Sequence, residues 1–234
     1  MENKTSKYFK YAIGEIILVM IGILLAIQAN NWNINRTSKI ELDQSLEKLL
    51  SELKHDRLIL NETLNQNDQY ISILDSCLII LKDHEKYTLE KFDELFHYTN
   101  YTINFNFSRV NFDELSMSGR LNQIKHPTLT DSLRNYYAYS YKPVENALRD
   151  HVRDNIREYT LGYDFMHFVN DTDNSEASDY NIDRKTLEDY SKDIRILNAI
   201  RFKIELHRFL EFNYKELIPK TEYLIQTIKQ ELGN

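Results

Sequence analysis

The feature that most constrains the fold of this chain is an apolar stretch near the N-terminus, residues 9–29, which contains one acid, Glu15. Its uninterrupted apolar part, residues 16–27, would form only about 18 Å of helix, whereas a bilayer core is about 30 Å thick. The full stretch of 21 residues is long enough to cross it. Trp32 lies just after this stretch, at the position of the membrane interface, where aromatic rings are enriched. The sequence therefore predicts a transmembrane anchor over 9–29, after a short basic tail over 1–8.

Two other interpretations, a cleaved signal peptide and a buried core helix, agree less well with these residues. Signal peptidase needs small residues at positions −3 and −1. Cleavage after Ala29 would place Ile27 at −3, and cleavage after Ala26 would place Leu24 there. A core helix of a globular protein shows a polar stripe, which the apolar run lacks. We therefore expect a signal anchor that is retained.

Glu15 shares one helix face with small residues. On an ideal helix Gly22, Ala26 and Ala29 lie within about 40° of Glu15, and Ala12 lies about 60° away. A charge this deep in a bilayer costs about 2.5–3.5 kcal/mol, so the acid is expected to be neutral, paired or turned toward protein. Small residues allow close approach of helices, and a polar side chain can bond across the contact. The face is either a self-association or partner surface held by Glu15, or part of a monomeric anchor that tolerates a neutral acid.

Charges around the anchor do not by themselves decide its orientation. Three cations lie before or at the start of the anchor and three follow it: Lys4, Lys7, Lys10, Arg36, Lys39 and Lys48. Long domains are translocated largely regardless of charge, and the lysines of the tail lie closer to the bilayer. We therefore expect the N-terminus inside and the body outside.

The remaining residues predict a helical body, because the 234 residues include only five Gly and three Pro. Ser38 and Glu41 have the spacing of a capping box, so we expect a helix to start or resume at residue 38, after a junction over 30–37. A 3–4 spacing of mostly apolar residues continues to residue 81. Its members are Leu42, Leu46, Leu49, Leu53, Asp56, Leu60, Thr63, Asn67, Tyr70, Leu74, Cys77 and Leu81. We predict one long helix here, with Cys77 as a buried packing residue.

Shorter elements are expected to follow this helix. Thr88 is placed to cap a helix over 89–99. Residues 100–107 alternate between polar and apolar side chains but have no evident partner strand, which indicates a structured loop. Ser108 is placed to open another helix, and Gly119 is expected to end it as a C-terminal cap.

The C-terminal half predicts two further long helices. Pro127 and Thr130 are expected to introduce a preceding helix, which Pro143 breaks or kinks, and the first long helix is expected over residues 144–166. The acidic stretch 171–183 is typical of a loop. The final helix is expected to start near Leu187 and to kink or break at Pro219. Because long amphipathic helices need partners in water, we predict an all-α fold: one transmembrane helix and an elongated bundle of long antiparallel helices over 38–234, with shorter helices inserted.

Two segments carry a resemblance to a known family, and their residues lie in 7–19, 21–28, 30–33, 112–115 and 118–121, and at Ile124. The resemblance is to the N-terminal signature, and to a second recurring segment, of a family of uncharacterised Bacteroidetes membrane proteins catalogued as a domain of unknown function. It implies one N-terminal transmembrane helix and an all-helical body, and it supplies no reaction, ligand or partner. We therefore expect a single-pass protein of a bacterial inner membrane with a periplasmic helical domain.

Candidate catalytic residues are few. Acid–histidine pairs three residues apart, a spacing used in di-metal bundles, are more typical here of solvated surface pairs than of metal ligands. The pairs are Glu52–His55, Glu94–His97 and Asp164–His167. His207 and Glu211 are also expected to form a surface pair. Phosphate loops, nucleophile elbows and Cys-x-x-Cys motifs are missing from the sequence, so we predict no enzyme activity, metal or cofactor.

Four tyrosines, Tyr136, Tyr137, Tyr139 and Tyr141, lie close together in the chain. Tyrosine is enriched at protein interfaces, so the group is a candidate partner surface. Packing in the core and at the rim of a helical hairpin is the alternative.

Three classes of function agree with these features. The first is a membrane-anchored scaffold or accessory subunit that acts through helix–helix and protein–protein contacts. The second is an extracytoplasmic ligand-sensing bundle that needs a partner for output. The third is a proton-coupled motor accessory that uses Glu15. The net charge of −7 argues against a nucleic-acid partner.

Overall fold

A computed structural model describes residues 4–138, 142–157, 159 and 185–233, with side chains from residue 13 onward. Every regular element in these ranges is helical, which confirms the all-α prediction. The predicted loop over 171–183 lies outside the described residues.

The first element, α1, is a single helix from Lys4 to Lys82. Its 79 residues span about 118 Å. The expectation that a helix starts or resumes at residue 38 after a junction was wrong, because residues 30–37 are helical and contain neither Gly nor Pro. Ser38 does not cap a helix; its Oγ donates to Gln123 Oε1 at 2.9 Å.

Short helices connect α1 to the second half of the chain. They are a 3₁₀ turn at His84–Lys86, α2 at Leu89–Phe96, a 3₁₀ turn at His97–Asn100, α3 at Val110–Met117 and a 3₁₀ turn at Arg120–Gln123. Thr88 caps α2 as predicted, since its Oγ1 accepts the Lys91 N–H at 3.3 Å. Residues 101–109 form the predicted structured loop, without regular structure. Gly119 follows α3 in the left-handed conformation, φ 74°, which a residue with a Cβ adopts rarely.

The second half begins with α4 at Leu129–Ala138 and α5 at Lys142–His151, with Pro143 in the first turn of α5. A π-helical turn at Val152–Ile156 continues α5. The final predicted helix is two helices, α6 at Leu187–Lys192 and α7 at Ile194–Leu232. They are separate because Asp193 is extended and its carboxylate caps α7, accepting the Arg195 N–H at 3.0 Å. α7 continues through Pro219 without ending.

The two long helices α1 and α7 run antiparallel and are each other's main partner. Arg57 of α1 lies 3.9 Å from Glu222 of α7, and farther along α1 the Asn67 amide donates to the carbonyl of His207 at 2.9 Å. Residue numbers therefore rise along one helix as they fall along the other, which confirms the predicted antiparallel arrangement.

Two hydrophobic cores lie along this pair. The predicted stripe of α1 is buried at every position except Tyr70, which is half-buried, and Cys77 is fully buried as predicted. The core nearer the N-terminal anchor, here the proximal core, includes Leu46, Leu49, Leu53, Leu60, Leu115, Leu133, Leu217 and Ile228. The distal core includes Leu74, Cys77, Leu81, Phe92, Phe96, Ile156, Ile196 and Ile200.

Candidate functional site

The N-terminal part of α1 presents apolar side chains that the described residues leave uncovered. Large side chains from Ile13 to Ile27 are 43–71 % exposed, with Leu18 at the upper limit. By length and composition this part of the helix could cross a membrane, and its most apolar window is not buried against the rest of the molecule. Such a continuous apolar surface requires apolar surroundings or a partner.

The predicted anchor face lies on this exposed part of α1. Glu15, Gly22, Ala26 and Ala29 are all exposed, and no neighbouring atom lies within 4 Å of the position where Gly22 would carry a Cβ. Ala12 belongs to α1 by its backbone, and its side chain lies outside the described atoms. The face is thus free of contacts with the described part of its own chain.

Two of the four candidate tyrosines are core residues, so of the two interpretations of this group, packing and not a partner surface applies to them. Tyr136 and Tyr137 are 2 % and 3 % exposed. The Tyr136 hydroxyl lies 2.9 Å from Thr221 Oγ1 on α7, and the Tyr137 ring stacks on Phe112 of α3 with 4.3 Å between centroids. Burial raises the pKa of both hydroxyls above their ordinary value. Tyr139 and Tyr141 lie outside the described residues.

Glu52, expected on the surface with His55, is buried and caps α3. Arg109, which precedes α3, provides no side-chain cap of its own. In its place Glu52 Oε2 accepts the Asn111 backbone N–H at 3.1 Å and also the Asn111 side-chain amide. A carboxylate at a helix N-terminus satisfies free N–H groups and opposes the helix dipole. The expectation of a solvated Glu52–His55 pair was therefore wrong.

Asp56 lies one turn farther along α1 and is 2 % exposed. Its Oδ1 accepts the Ser108 backbone N–H at 3.4 Å, so both acids hold the chain that enters α3. Burial raises the pKa of Asp56 to about 6; the Ser108 N–H lowers it and the nearby Glu52 charge raises it. Within the described part of the chain, Glu52 Oε1, Asp56 Oδ2 and the Tyr137 hydroxyl are buried without a protein hydrogen-bond partner.

A second buried polar group lies between the two cores. Lys203, fully buried on α7, donates from Nζ to the carbonyl oxygens of Thr99 and Tyr101, the latter at 2.7 Å. Burial lowers the pKa of its ammonium to about 7. Glu145 of α5 binds the same loop as an acceptor: its Oε1 accepts the Phe105 backbone N–H at 2.8 Å. The irregular loop 101–109 is therefore held by two buried side chains: Lys203 binds its carbonyl at Tyr101, and Glu145 binds its N–H at Phe105.

His207 is also fully buried, so the expected surface pair with Glu211 was wrong. Its Nδ1 lies 2.8 Å from Asn67 Oδ1, while the Asn67 amide donates to the His207 carbonyl. This reciprocal pair fixes Nδ1 as the protonated nitrogen. Burial lowers the pKa of His207 to about 3, and the Lys203 charge acts in the same direction. Glu211 pairs with Lys215 instead.

The other acid–histidine pairs do not form a metal site in the described ranges. His97 is half-buried and its ring lies 3.1 Å from the Tyr101 hydroxyl, and Glu94 pairs with Lys91. Asp164 and His167 lie outside the described residues. Among the residues described, no three His, Cys, Asp or Glu side chains are grouped to hold a metal ion.

The fold and these contacts define a class: all-α proteins in which an exposed apolar helix, long enough to cross a membrane, continues into an antiparallel bundle with internally paired polar groups. Within that class the chain belongs to DUF6090, a family of unknown function, whose model matches residues 15–180. A search of curated proteins and a search of solved structures each gave no match.

Proposed function

We propose that this chain is a membrane-anchored helical scaffold or accessory subunit that acts by protein–protein contact and not by catalysis. It is held by residues 9–29 in the inner membrane of a Bacteroidetes bacterium, with the bundle on the periplasmic side. The buried charges support this proposal, because their contacts brace a loop and cap a helix. Lys203 and His207 have no exposed surface, so a substrate would reach them only after local opening.

The unbroken path of α1 carries the proposal, since it fixes the anchor face relative to the bundle. At about 100° per residue, Glu15 lies about 180° around the helix from the buried Leu42. Gly22 and Ala26 lie within about 20° of that opposite side. The anchor face therefore points away from the other helices of the bundle. Two chains could meet through it with their bodies outside the contact and without a clash.

Crosslinking in the membrane tests this arrangement. Single cysteines at Gly22 and Ala26 are expected to crosslink two chains, while a cysteine at Ile23, about 100° from Gly22, is the off-face control. Cys77→Ala is the suitable background, because Cys77 lies in the core and a serine hydroxyl would be buried there. Equal crosslinking at all three positions, or at none, would contradict a self-association face.

Substitution of Glu15 separates scaffolding from proton coupling. Glu15→Leu removes the polar contact and is expected to lower crosslinking at Gly22 about fivefold, since such bonds contribute about 1–2 kcal/mol. Glu15→Gln keeps a hydrogen-bonding group, so crosslinking at Gly22 is expected to be retained. A Gln variant that assembles normally yet behaves in cells like a deletion would favour the proton-coupled class over a scaffold.

A further inference from the structure

A groove lies where the bundle meets the anchor. It is formed by α1 beyond Trp32, by the chain after the Arg120–Gln123 turn, and by the last turn of α7, and it has a volume of about 730 Å³. Ligand sites in proteins commonly have volumes of about 300–1,000 Å³.

The position of the groove places one end in the headgroup layer of the proposed membrane. Along α1, Trp32 lies about 4.5 Å beyond Ala29 and Lys39 about 15 Å beyond it. The headgroup layer extends about 5–7 Å from the hydrocarbon core. Trp32 is therefore at headgroup depth, and Arg36, about 10 Å beyond Ala29, has a side chain long enough to reach it.

The lining of the groove has a formal charge of +1, three cations against two acids, and this excess favours an anion. Three cations line it, Arg36, Lys39 and Lys125, and in the part of the chain that the structure describes none of them lies within salt-bridge distance of a carboxylate. The two acids of the lining are Asp43 and Glu231. The Glu231 carboxylate is already engaged, accepting the backbone N–H groups of Lys125 and His126 at 2.8 and 2.9 Å.

Arg36 is held in place by an aromatic ring. Its guanidinium carbon lies 5.7 Å from the centroid of Trp32, a cation–π contact that favours this position of the side chain at the membrane end of the groove. A guanidinium presents a planar set of donors that matches two phosphate oxygens, and lysine ammonium groups add charge without that geometry.

We propose that this groove binds the phosphate of an anionic phospholipid from the adjacent leaflet, with Arg36 as the main contact and Lys39 and Lys125 as supporting charges. The inference deepens the proposed function, because it rests on insertion of residues 9–29 in a bilayer. It gives the bundle a second attachment to the membrane and sets its orientation above the surface.

The single tryptophan of the chain, Trp32, reports on this groove directly. The full-length protein is reconstituted in phosphatidylcholine vesicles that contain either brominated phosphatidylglycerol or brominated phosphatidylcholine. Quenching of Trp32 fluorescence by each brominated lipid then gives the relative affinity of the groove for the two headgroups. Each basic residue near a membrane surface contributes about 1 kcal/mol of attraction, so we expect at least about a tenfold preference for the anionic lipid.

A triple variant, R36Q, K39Q and K125Q, is expected to reduce the preference to less than about twofold. The matched control, K48Q, K54Q and K229Q, removes the same charge from exposed positions outside the groove, on the half of the bundle nearer the anchor, and is expected to keep the preference. Fluorescence of each variant is normalised to unbrominated lipid, since loss of Arg36 changes the surroundings of the indole. Equal loss of preference in both variants would show general surface attraction and overturn the proposal.

Two further measurements separate the remaining outcomes. Inorganic phosphate that displaces brominated phosphatidylglycerol at equal concentration would show a site for free phosphate and would overturn the assignment to a lipid. Flotation with vesicles of pure phosphatidylcholine tests the anchor alone. A protein that does not float would overturn the proposed anchoring, and the lipid site with it, whereas a protein that floats without lipid preference would overturn the lipid site only.

Discussion

Asp56 illustrates what buried acids do in this molecule. It lies on the core stripe of α1, accepts a backbone N–H from the entry to α3, and has its pKa raised to about 6. The folded chain therefore holds a proton on Asp56 at pH values where the unfolded chain, with a pKa near 3.8, does not. By linkage, this residue makes stability fall as pH rises from about 4 to about 6, after which its contribution is constant.

Asp56→Asn is expected to increase the free energy of unfolding at pH 7 by about 1–3 kcal/mol and to change it little at pH 4. Asn keeps an acceptor for the Ser108 N–H and carries no charge to desolvate. Urea midpoints of the full-length protein in detergent at pH 4, 5, 6 and 7 measure the effect. Asp68→Asn, an exposed change on the same helix, is the control and should shift stability by less than about 0.5 kcal/mol. A destabilised Asp56→Asn protein at pH 7 would contradict the assignment.

Asn67→Ala is expected to destabilise the bundle by about 2–4 kcal/mol, because it leaves the His207 ring N–H and carbonyl buried without their partner. The double variant Asn67→Leu with His207→Leu should recover part of that loss, since both polar side chains are removed together. Chemical denaturation with an unchanged m-value measures both. Asn61→Ala is the matched control: Asn61 also donates to a helix carbonyl, that of Arg57 in α1, but it is exposed, so its removal should cost little.

At the level of helices, much of the arrangement was predictable and the errors share one cause. Apolar spacing located the buried side of α1, including Asp56, Asn67 and Cys77. The same spacing continues along α7, where Lys203 and His207 occupy buried positions between Ile200 and Leu210. That pattern was visible in the sequence. His207 was misjudged because a polar side chain on a helix is usually solvated, and its partner Asn67 lies on α1, whose register against α7 no local pattern gives.

The continuity of α1 through residues 30–37 was also misjudged. Ser38 and Glu41 match a helix start, but the preceding residues contain no Gly or Pro to stop a helix arriving from the anchor. Residues 30–37 are exposed, and the Arg120–Gln123 turn meets α1 just beyond them, where Gln123 accepts the Ser38 hydroxyl; sequence spacing alone does not reveal such a contact. Arg120 lies 3.0 Å from Glu41, so the residue of the apparent cap is used in a tertiary ion pair.

Spin labels test this continuity. With labels at Gln28 and Lys48, an unbroken helix gives a narrow distance distribution near 30 Å plus the label arms, since 20 residues rise about 30 Å. Labels at Lys48 and Asp68, equally far apart within the bundle, give the reference distribution. Pulsed electron paramagnetic resonance of the full-length protein in nanodiscs, with Cys77 replaced by Ala, should show equal widths for the two pairs. A markedly broader or shorter distribution for the first pair alone would show a hinge in 30–37.

For the whole molecule, the proposed orientation predicts which residues an impermeant thiol reagent reaches. Cys77 is fully buried, so the folded wild-type protein should remain unlabelled. A cysteine at Glu62, an exposed position of α1, should be labelled in cells whose outer membrane has been permeabilised. A cysteine at Ser6, in the N-terminal tail, should react only after the inner membrane is opened. Labelling of Ser6→Cys before Glu62→Cys would reverse the assigned topology.

The unbroken α1 also has a mechanical consequence. Once residues 9–29 lie in a bilayer, Lys82 stands about 80 Å beyond Ala29 along the same helix. Transmembrane helices are tilted by about 20° on average, and a change of only about 10° in that tilt would move the far end by about 14 Å. This displacement exceeds the diameter of a helix, about 10–12 Å. A small change in the tilt of residues 9–29 within a bilayer would therefore produce a large displacement of the distal core.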